Sequence, residues 1–319
     1  MLLNRQKQKI RHNNSMTHPV PIYPKALKKG DTIGVLSTSC WVPEEDVLKA
    51  KAFMEGQGYN VKIHDQCYHR LNQSAGTAEE KAKALNDLFA DSDIKAIFGS
   101  RGGNRACTML DKIDFDLIRK NPKILIGYSD LTILLNAIYQ KTGLVGFHGP
   151  LFRELPNHQD YKQMIEMLSC QSDSLDLSES TILSDGEAQG PLIGGNMSVF
   201  QGLIGTPYMP NMTGAILLLE DVGDHLSRYD RMLCHLKNTG ILSQISALII
   251  GSFSEVQDSE KNPFGFTLEE IIREHTQGLN IPILMNAPFG HDGKLCTLPV
   301  GANAILKNGK LSFKSLLSA

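Results

Sequence analysis

The spacing of apolar residues changes period repeatedly along this chain, and each change marks an element. From Asp31 onward, short apolar runs that read as buried strands alternate with stretches whose apolar residues recur at helical spacing. "DTIGVLSTSC" predicts a strand running into a loop of small residues. "PEEDVLKAKAFMEGQG" predicts a helix with acids in its first turn and glycine at its end. "YNVKIHD" reads as a strand, "TAEEKAKALNDLFAD" as a helix, "IKAIFGSRGGN" as a strand ending in a glycine turn, and "FDLIRKNP" as a short helix stopped by Pro122. "ILIGYSDLTILLNAIY", residues 124–139, passes from strand to helix with almost no loop, and "GLVGFHGP" closes the series. Such alternation predicts a parallel sheet with helices on both faces, with ligands bound where the strands end.

After about residue 155 the texture shifts. "SCQSDSLDLSESTILSDGEAQG" is polar and rich in Ser and Asp, as in a surface connection or a run of short irregular strands. A second alternating region follows: strand "AILLLEDVG", helix "SRYDRMLCHLKNTG", strand "ISALIIGSF", helix "TLEEIIREHTQG", and a strand "IPILMNAPFGH" ending at His291. Asn308-Gly309 between two short β-like runs signals a hairpin. The expected organisation is therefore a basic flexible tail over 1–22, an N-terminal α/β domain over 23–160, an irregular connection over 161–185 and a smaller C-terminal α/β domain over 186–319.

Composition narrows this picture a little. The chain has 319 residues, 41% hydrophobic and 21% charged, which suits a soluble globular protein of about two domains. Its formal net charge of −2 argues against a nucleic-acid or anionic-membrane partner. Arg5, Lys7, Lys9, Arg11, Lys25, Lys28 and Lys29 concentrate positive charge near the start, but "MLLNRQKQKIRHNNSM" lacks the apolar run of a secretory signal and reads as a loose tail upstream of a start at Met16. No stretch approaches the roughly 18 apolar residues of a membrane span. Cys40, Cys67, Cys107, Cys170, Cys234 and Cys296 show neither zinc-site nor disulfide spacing, and read as small buried hydrophobes in a reducing cytoplasm.

The chemistry sits at strand ends. Gly127-Tyr128-Ser129 must turn sharply from strand to helix, which sets Ser129 at an exposed tip or makes it a helix cap. Glu220 follows Leu217-Leu218-Leu219, and His291 follows Phe289-Gly290. Nucleophile, carboxylate and base are the parts of a serine hydrolase triad, here in the order Ser, Glu, His. His148 in "GFHGP" is the rival base. The backbone N–H of Asp130 beside the serine, together with Gly102 or Gly103 of "SRGGN", offers donors for an oxyanion. The same segment is no phosphate loop, because GxxxxGK[ST] and GxGxxG are both absent.

"SRGGN", "GYSD", "LLLEDVG", "SRYDRML" and "APFGH", joined by "GFHGP" and "PLIGGNMS", resemble the LD-carboxypeptidase family of serine peptidases, which includes muramoyl-tetrapeptide carboxypeptidases and microcin C immunity peptidases. The likeness runs from about Tyr23 to near the C-terminus. It implies a triad of Ser129, Glu220 and His291 in an active site between the two domains, with the nucleophile in the first and its partners in the second. Asn104-Arg105 departs from the family's usual segment after the paired glycines. Asn104, Arg101 and Trp41 are the candidate substrate contacts, with Trp41 available to stack on a base. The resemblance implies removal of the terminal D-alanine from murein tetrapeptides in the cytoplasm, with no metal or organic cofactor. The alternatives are cleavage of an aminoacyl-nucleotide-like conjugate and a ligand-binding protein without turnover. The expected partner is a small peptide, and a homodimer is compatible with the sequence.

Overall fold

The computed structural model describes residues 17–313. Most of the basic tail and the candidate start at Met16 lie outside the described residues. The first half contains β1 (Thr32–Leu36), α1 (Glu44–Gly56), β2 (Asn60–Ile63), α2 (Ala78–Ala90), β3 (Ile94–Gly99), α3 (Phe115–Lys120), β4 (Ile124–Gly127), α4 (Thr132–Thr142) and β5 (Gly146–His148). Local chemistry explains several boundaries. Thr77 and Glu80 form a reciprocal capping box that starts α2, its side chain accepting from Glu80 N at 3.2 Å while Glu80 Oε2 accepts from Thr77 N at 2.7 Å.

β1 to β5 are parallel and lie in the order β5-β4-β3-β1-β2. Ile33, Val35, Ala96 and Phe98 face α1 on one side of the sheet, while Leu36, Ile97 and Leu125 pack with α2, α3 and α4 on the other. Chain direction across the sheet reverses between β1 and β3. The loops leaving those strands therefore splay apart, in the usual position of a ligand crevice.

The second half contributes α5 (Tyr161–Leu168), β6 (Ser174–Asp176), β7 (Thr181–Ser184), β8 (Ala188–Asn196), α6 (Met197–Phe200), β9 (Ile216–Val222), α7 (Leu226–Asn238), β10 (Ala247–Ser254), α8 (Leu268–Thr276), β11 (Ile283–Met285), β12 (Leu298–Val300), β13 (Asn303–Lys307) and β14 (Lys310–Phe313). Its eight-stranded sheet runs β6-β14-β13-β8-β9-β10-β11-β7, with β8 to β11 parallel at the centre. The polar segment 161–185 thus holds a helix and both edge strands of this sheet. The hairpin at Asn308-Gly309 forms as expected, with positive φ at both residues.

One strand crosses over: β12 pairs antiparallel with β5, so the C-terminal part of the chain completes the first sheet. Helix α4 makes the other junction. Every residue from Thr132 to Tyr139 is buried, because the helix lies between the two halves instead of on a surface. Asn136 Nδ2 donates to Gly194 O at 2.9 Å, Gly194 N donates to Asn136 Oδ1 at 3.0 Å, and Asn196 N donates to Thr132 Oγ1 at 3.0 Å. These bonds satisfy buried polar groups and fix the serine-bearing turn against β8. No helix among the described residues is long and apolar enough to cross a membrane.

Candidate active site

Ser129 occupies the first position after β4 and Tyr128, with φ of 60°. A non-glycine residue in this left-handed region costs on the order of 1–2 kcal/mol, which the flanking strand and the buried α4 sustain. Neither the short turn over 129–131 nor α4 has a side-chain cap hydrogen bond, so the capping alternative for Ser129 finds no partner. Asp130 points inward. Its Oδ2 accepts from Ala106 N at 2.8 Å, which ties the end of the 101–105 loop to the serine turn. Buried Lys81 donates to Arg105 O at 3.0 Å and holds the same loop from α2.

Gly102 packs directly on the serine: a Cβ added there would lie 3.0 Å from both Ser129 Cβ and Oγ. Gly102 O accepts from Cys40 N at 3.3 Å, joining the loops that leave β1 and β3. Gly102→Ala is expected to displace the hydroxyl and to lower kcat on the order of 10²-fold, since a misplacement near 1 Å costs that much. An alanine variant with unchanged kcat and an unchanged circular dichroism spectrum would remove Gly102 from the site.

Glu220 lies in the buried part of β9, fully shielded from solvent, beside Asn196 of β8. His291 is not at a strand end. β11 stops at Met285, and the following loop is strapped onto the end of β10 by bonds from Ala287 N to Ile250 O, Ser252 N to Phe289 O and His291 N to Ser252 Oγ. Gly290 permits this approach, because a Cβ there would sit 2.0 Å from Ser252 Oγ. The loop presents His291 Nδ1 to Glu220 Oε2 at 2.6 Å, a short charge-assisted bond that fixes the ring's tautomer. Burial pulls the pKa of His291 down, but the hydrogen bond and charge of Glu220, with Asp221 and Glu154 behind it, leave it raised. The Tyr128 ring lies on His291 with centroids 4.6 Å apart, so the imidazole packs on the residue preceding Ser129.

His148 is fully buried, neither ring nitrogen has a partner among the described residues, and burial lowers its pKa to about 4. It is a neutral packing group between Tyr128 and Phe289, unsuited to the role of base. Asp221, the neighbouring acid, turns away to accept from Ser198 N and Asn196 Nδ2, and burial raises its pKa to about 6.

The candidate substrate contacts are used within the protein. Arg101 Nη1 donates to Trp41 O at 2.9 Å, and Asn104 Nδ2 donates to Gln73 Oε1 at 3.1 Å. Arg70 lies 3.9 Å over the Trp41 ring, so that face already carries a cation. The cysteines are all free, yet only Cys40 and Cys67 are buried. Cys107 is exposed and the other three are half-buried, because their helices and loops lie at the surface. Among the described residues no group of three or more His, Cys, Asp or Glu side chains is arranged to hold a metal.

Sequence reasoning missed Glu154. Burial raises its pKa, while Oε1 accepts from Tyr128 OH at 3.3 Å and Oε2 from Leu151 N at 3.1 Å. Its position soon after "FHGP" was the available signal. A cavity of about 430 Å³ opens beside it, walled by Tyr128, Arg153, Glu154, His158, Gly290 and His291 among others.

Comparison with known proteins gives a consistent family. The model of the LD-carboxypeptidase N-terminal domain matches residues 33–149, and that of the LD-carboxypeptidase C-terminal domain matches residues 189–306. The probable murein peptide carboxypeptidase of Bacillus subtilis (strain 168) is 32% identical over 295 residues, covering 90% of this chain and 92% of that protein. The murein tetrapeptide carboxypeptidase of Pseudomonas aeruginosa is 30% identical, covering 83% of this chain and 90% of that one. Among solved structures, a mutant of the microcin C7 self-immunity protein MccF in complex with adenosine monophosphate superposes with a TM-score of 0.83 at 28% identity, covering 92% of this chain and 98% of that chain.

Proposed function

This chain belongs to the LD-carboxypeptidase family, and from that premise we propose that it is a cytoplasmic serine peptidase that removes the terminal D-alanine from murein tetrapeptides. The observation that supports this reading best is the buried Glu220–His291 bond, packed through Tyr128 against a serine held at positive φ. In this mechanism His291 takes the proton of Ser129, whose Oγ attacks the carbonyl between the diamino acid and D-alanine. Glu220 stabilises the imidazolium. The oxyanion faces the N–H of Asp130 and of Gly102 or Gly103. Collapse breaks the C–N bond, His291 returns the proton to the departing amine, and water hydrolyses the resulting ester.

Cleavage of an aminoacyl-nucleotide conjugate is the second reading, and the likeness to MccF supports it. The Arg70 guanidinium on Trp41 weighs against it, because it occupies one face of the ring otherwise available to a base. The test is incubation of purified protein with murein tripeptide, tetrapeptide and pentapeptide and with an aminoacyl sulfamoyl adenosine, measuring released D-alanine and cleaved amide. D-alanine released from the tetrapeptide alone is the expected result. Cleavage of the nucleoside compound without D-alanine release would overturn it.

The raised pKa of His291 fixes a pH dependence. Only neutral imidazole accepts the serine proton, so kcat/KM should rise with pH, with a midpoint above the ordinary histidine value of about 6.5. Glu220→Gln removes the largest of the groups that raise it, so that burial, which lowers it, is opposed only by Asp221 and Glu154. The residual activity of that variant should have its acid limb at lower pH, and a limb that does not move would show that Glu220 does not govern His291.

A further inference from the structure

The cavity beside His291 contains a cation that the mechanism above does not use. Arg153 lines it and makes no side-chain hydrogen bond or salt bridge among the described residues, while its charge acts on neighbouring Glu154 and Tyr128. Its backbone is held close to the reaction. Arg153 N donates to Ser100 O at 3.3 Å, at the start of the loop that carries Gly102. Two residues earlier, Leu151 Cδ1 lies 3.5 Å from where a Cβ on Gly102 would sit, and Glu154 clamps the same turn to Tyr128. The guanidinium is thus carried by a turn fastened on one side to the loop of Ser100 and Gly102 and on the other to Tyr128, the residue before Ser129.

The side of the site it occupies follows from the chemistry. The base that returns a proton to the leaving amine must touch it, so the departing group lies against His291. His291, Tyr128 and Gly290 wall this cavity, and the glycines of the oxyanion loop do not. The other titratable groups facing it are Asp46, Glu154 and His158. Burial raises the pKa of Glu154 and lowers that of His158, which weakens the tendency of each to carry charge. Beside His291, Arg153 is the cation that faces this cavity, with the Asp46 side chain also on its wall.

We propose that Arg153 binds the free carboxylate of the departing D-alanine and so restricts the enzyme to the last residue of its substrate. The inference rests on the peptidase reading above. A planar guanidinium presents paired donors that match a carboxylate, and in a partly enclosed cavity such a pair is both strong and directional. A peptide that continued beyond D-alanine would bring an amide where the carboxylate belongs and leave the cation without its partner.

The test compares wild type, Arg153→Met and Arg153→Lys on three peptides: the murein tetrapeptide, the same peptide ending in D-alanine amide, and the tetrapeptide with lysine replacing diaminopimelate. Wild type should prefer the acid over the amide on the order of 10²-fold in kcat/KM, the range seen on truncating one member of a buried charge pair. Arg153→Met should lose that preference mainly through KM on the acid, with little change on the amide, and Arg153→Lys should recover part of it. Exchange of the diamino acid should leave the effect of the mutation unchanged. Wild type that cleaves acid and amide alike, or a variant that keeps the full preference, overturns the assignment of Arg153 alone. A loss in Arg153→Met seen only with diaminopimelate places the guanidinium on the wrong carboxylate and overturns it too. Failure of wild type to cleave any of the three overturns the peptidase reading and the subsite with it.

Discussion

Ser129→Ala is expected to lower kcat by a factor on the order of 10³–10⁶ while leaving the protein folded. The loss is large because nucleophile and base act as one unit, and without the hydroxyl only binding and oxyanion stabilisation remain. The fold should tolerate the change for a local reason: the serine hydroxyl caps neither the turn over 129–131 nor α4. Alanine meets the same steric resistance at φ of 60° as serine, so the change in stability should stay within about 1 kcal/mol. Turnover of a murein tetrapeptide and thermal unfolding of the same samples provide the check. An unfolded variant would mean that Ser129 serves structure, and a fully active one would exclude it as nucleophile.

Glu220→Gln should reduce kcat far more than it changes KM, by a factor near 10⁴ if the effect matches that of the corresponding change in chymotrypsin-type proteases. The amide can still accept from His291 Nδ1, but the charge that stabilises the imidazolium is gone, and the amide's other orientation selects the wrong tautomer. Burial makes this loss large, since no water reaches Glu220 to replace the missing charge. Glu269→Gln is the matched control. Glu269 is exposed on α8 and among the described residues pairs only with Arg273, so its replacement should alter activity less than about threefold. Equal and small effects at both positions would remove Glu220 from the triad. Asp221 would be a poor substitute, because its carboxylate is already engaged by Ser198 and Asn196.

The features legible in the sequence were those that one segment determines by itself. The helices of "TAEEKAKALNDLFAD" and "TLEEIIREHTQG", the buried runs of β3, β4, β9 and β10, and the compressed turn at Ser129 are written within a few consecutive residues each. The juxtaposition of Glu220 with His291 is implied by the family resemblance and not by any local pattern, because a loop bent onto β10 makes it, and the apolar run before His291 reads as continuous strand. Burial was equally hidden. His148 looks from its neighbours like an available base, and only the packing of Tyr128 and Phe289 around it shows otherwise. Trp41 looks open in the sequence because Arg70, which covers it, lies in a different segment. Arg153 has no signature in the sequence, because a single arginine after a strand carries no pattern, and its meaning comes from the cavity.

The crossover of β12 bears on how this chain is made. Leu298 pairs with His148, far back in the sequence, and among the described residues β5 has no other strand on that edge. During synthesis the first sheet therefore remains with an open edge until β12 at Leu298–Val300 has emerged, and closing so long a loop delays its completion. Release of a shortened product lacking this last portion would leave β5 exposed, an invitation to pair with strands of other chains. The sheet that carries Ser129 thus reaches its final form only after Glu220 and His291 have been synthesised, which couples assembly of the candidate site to synthesis through β12.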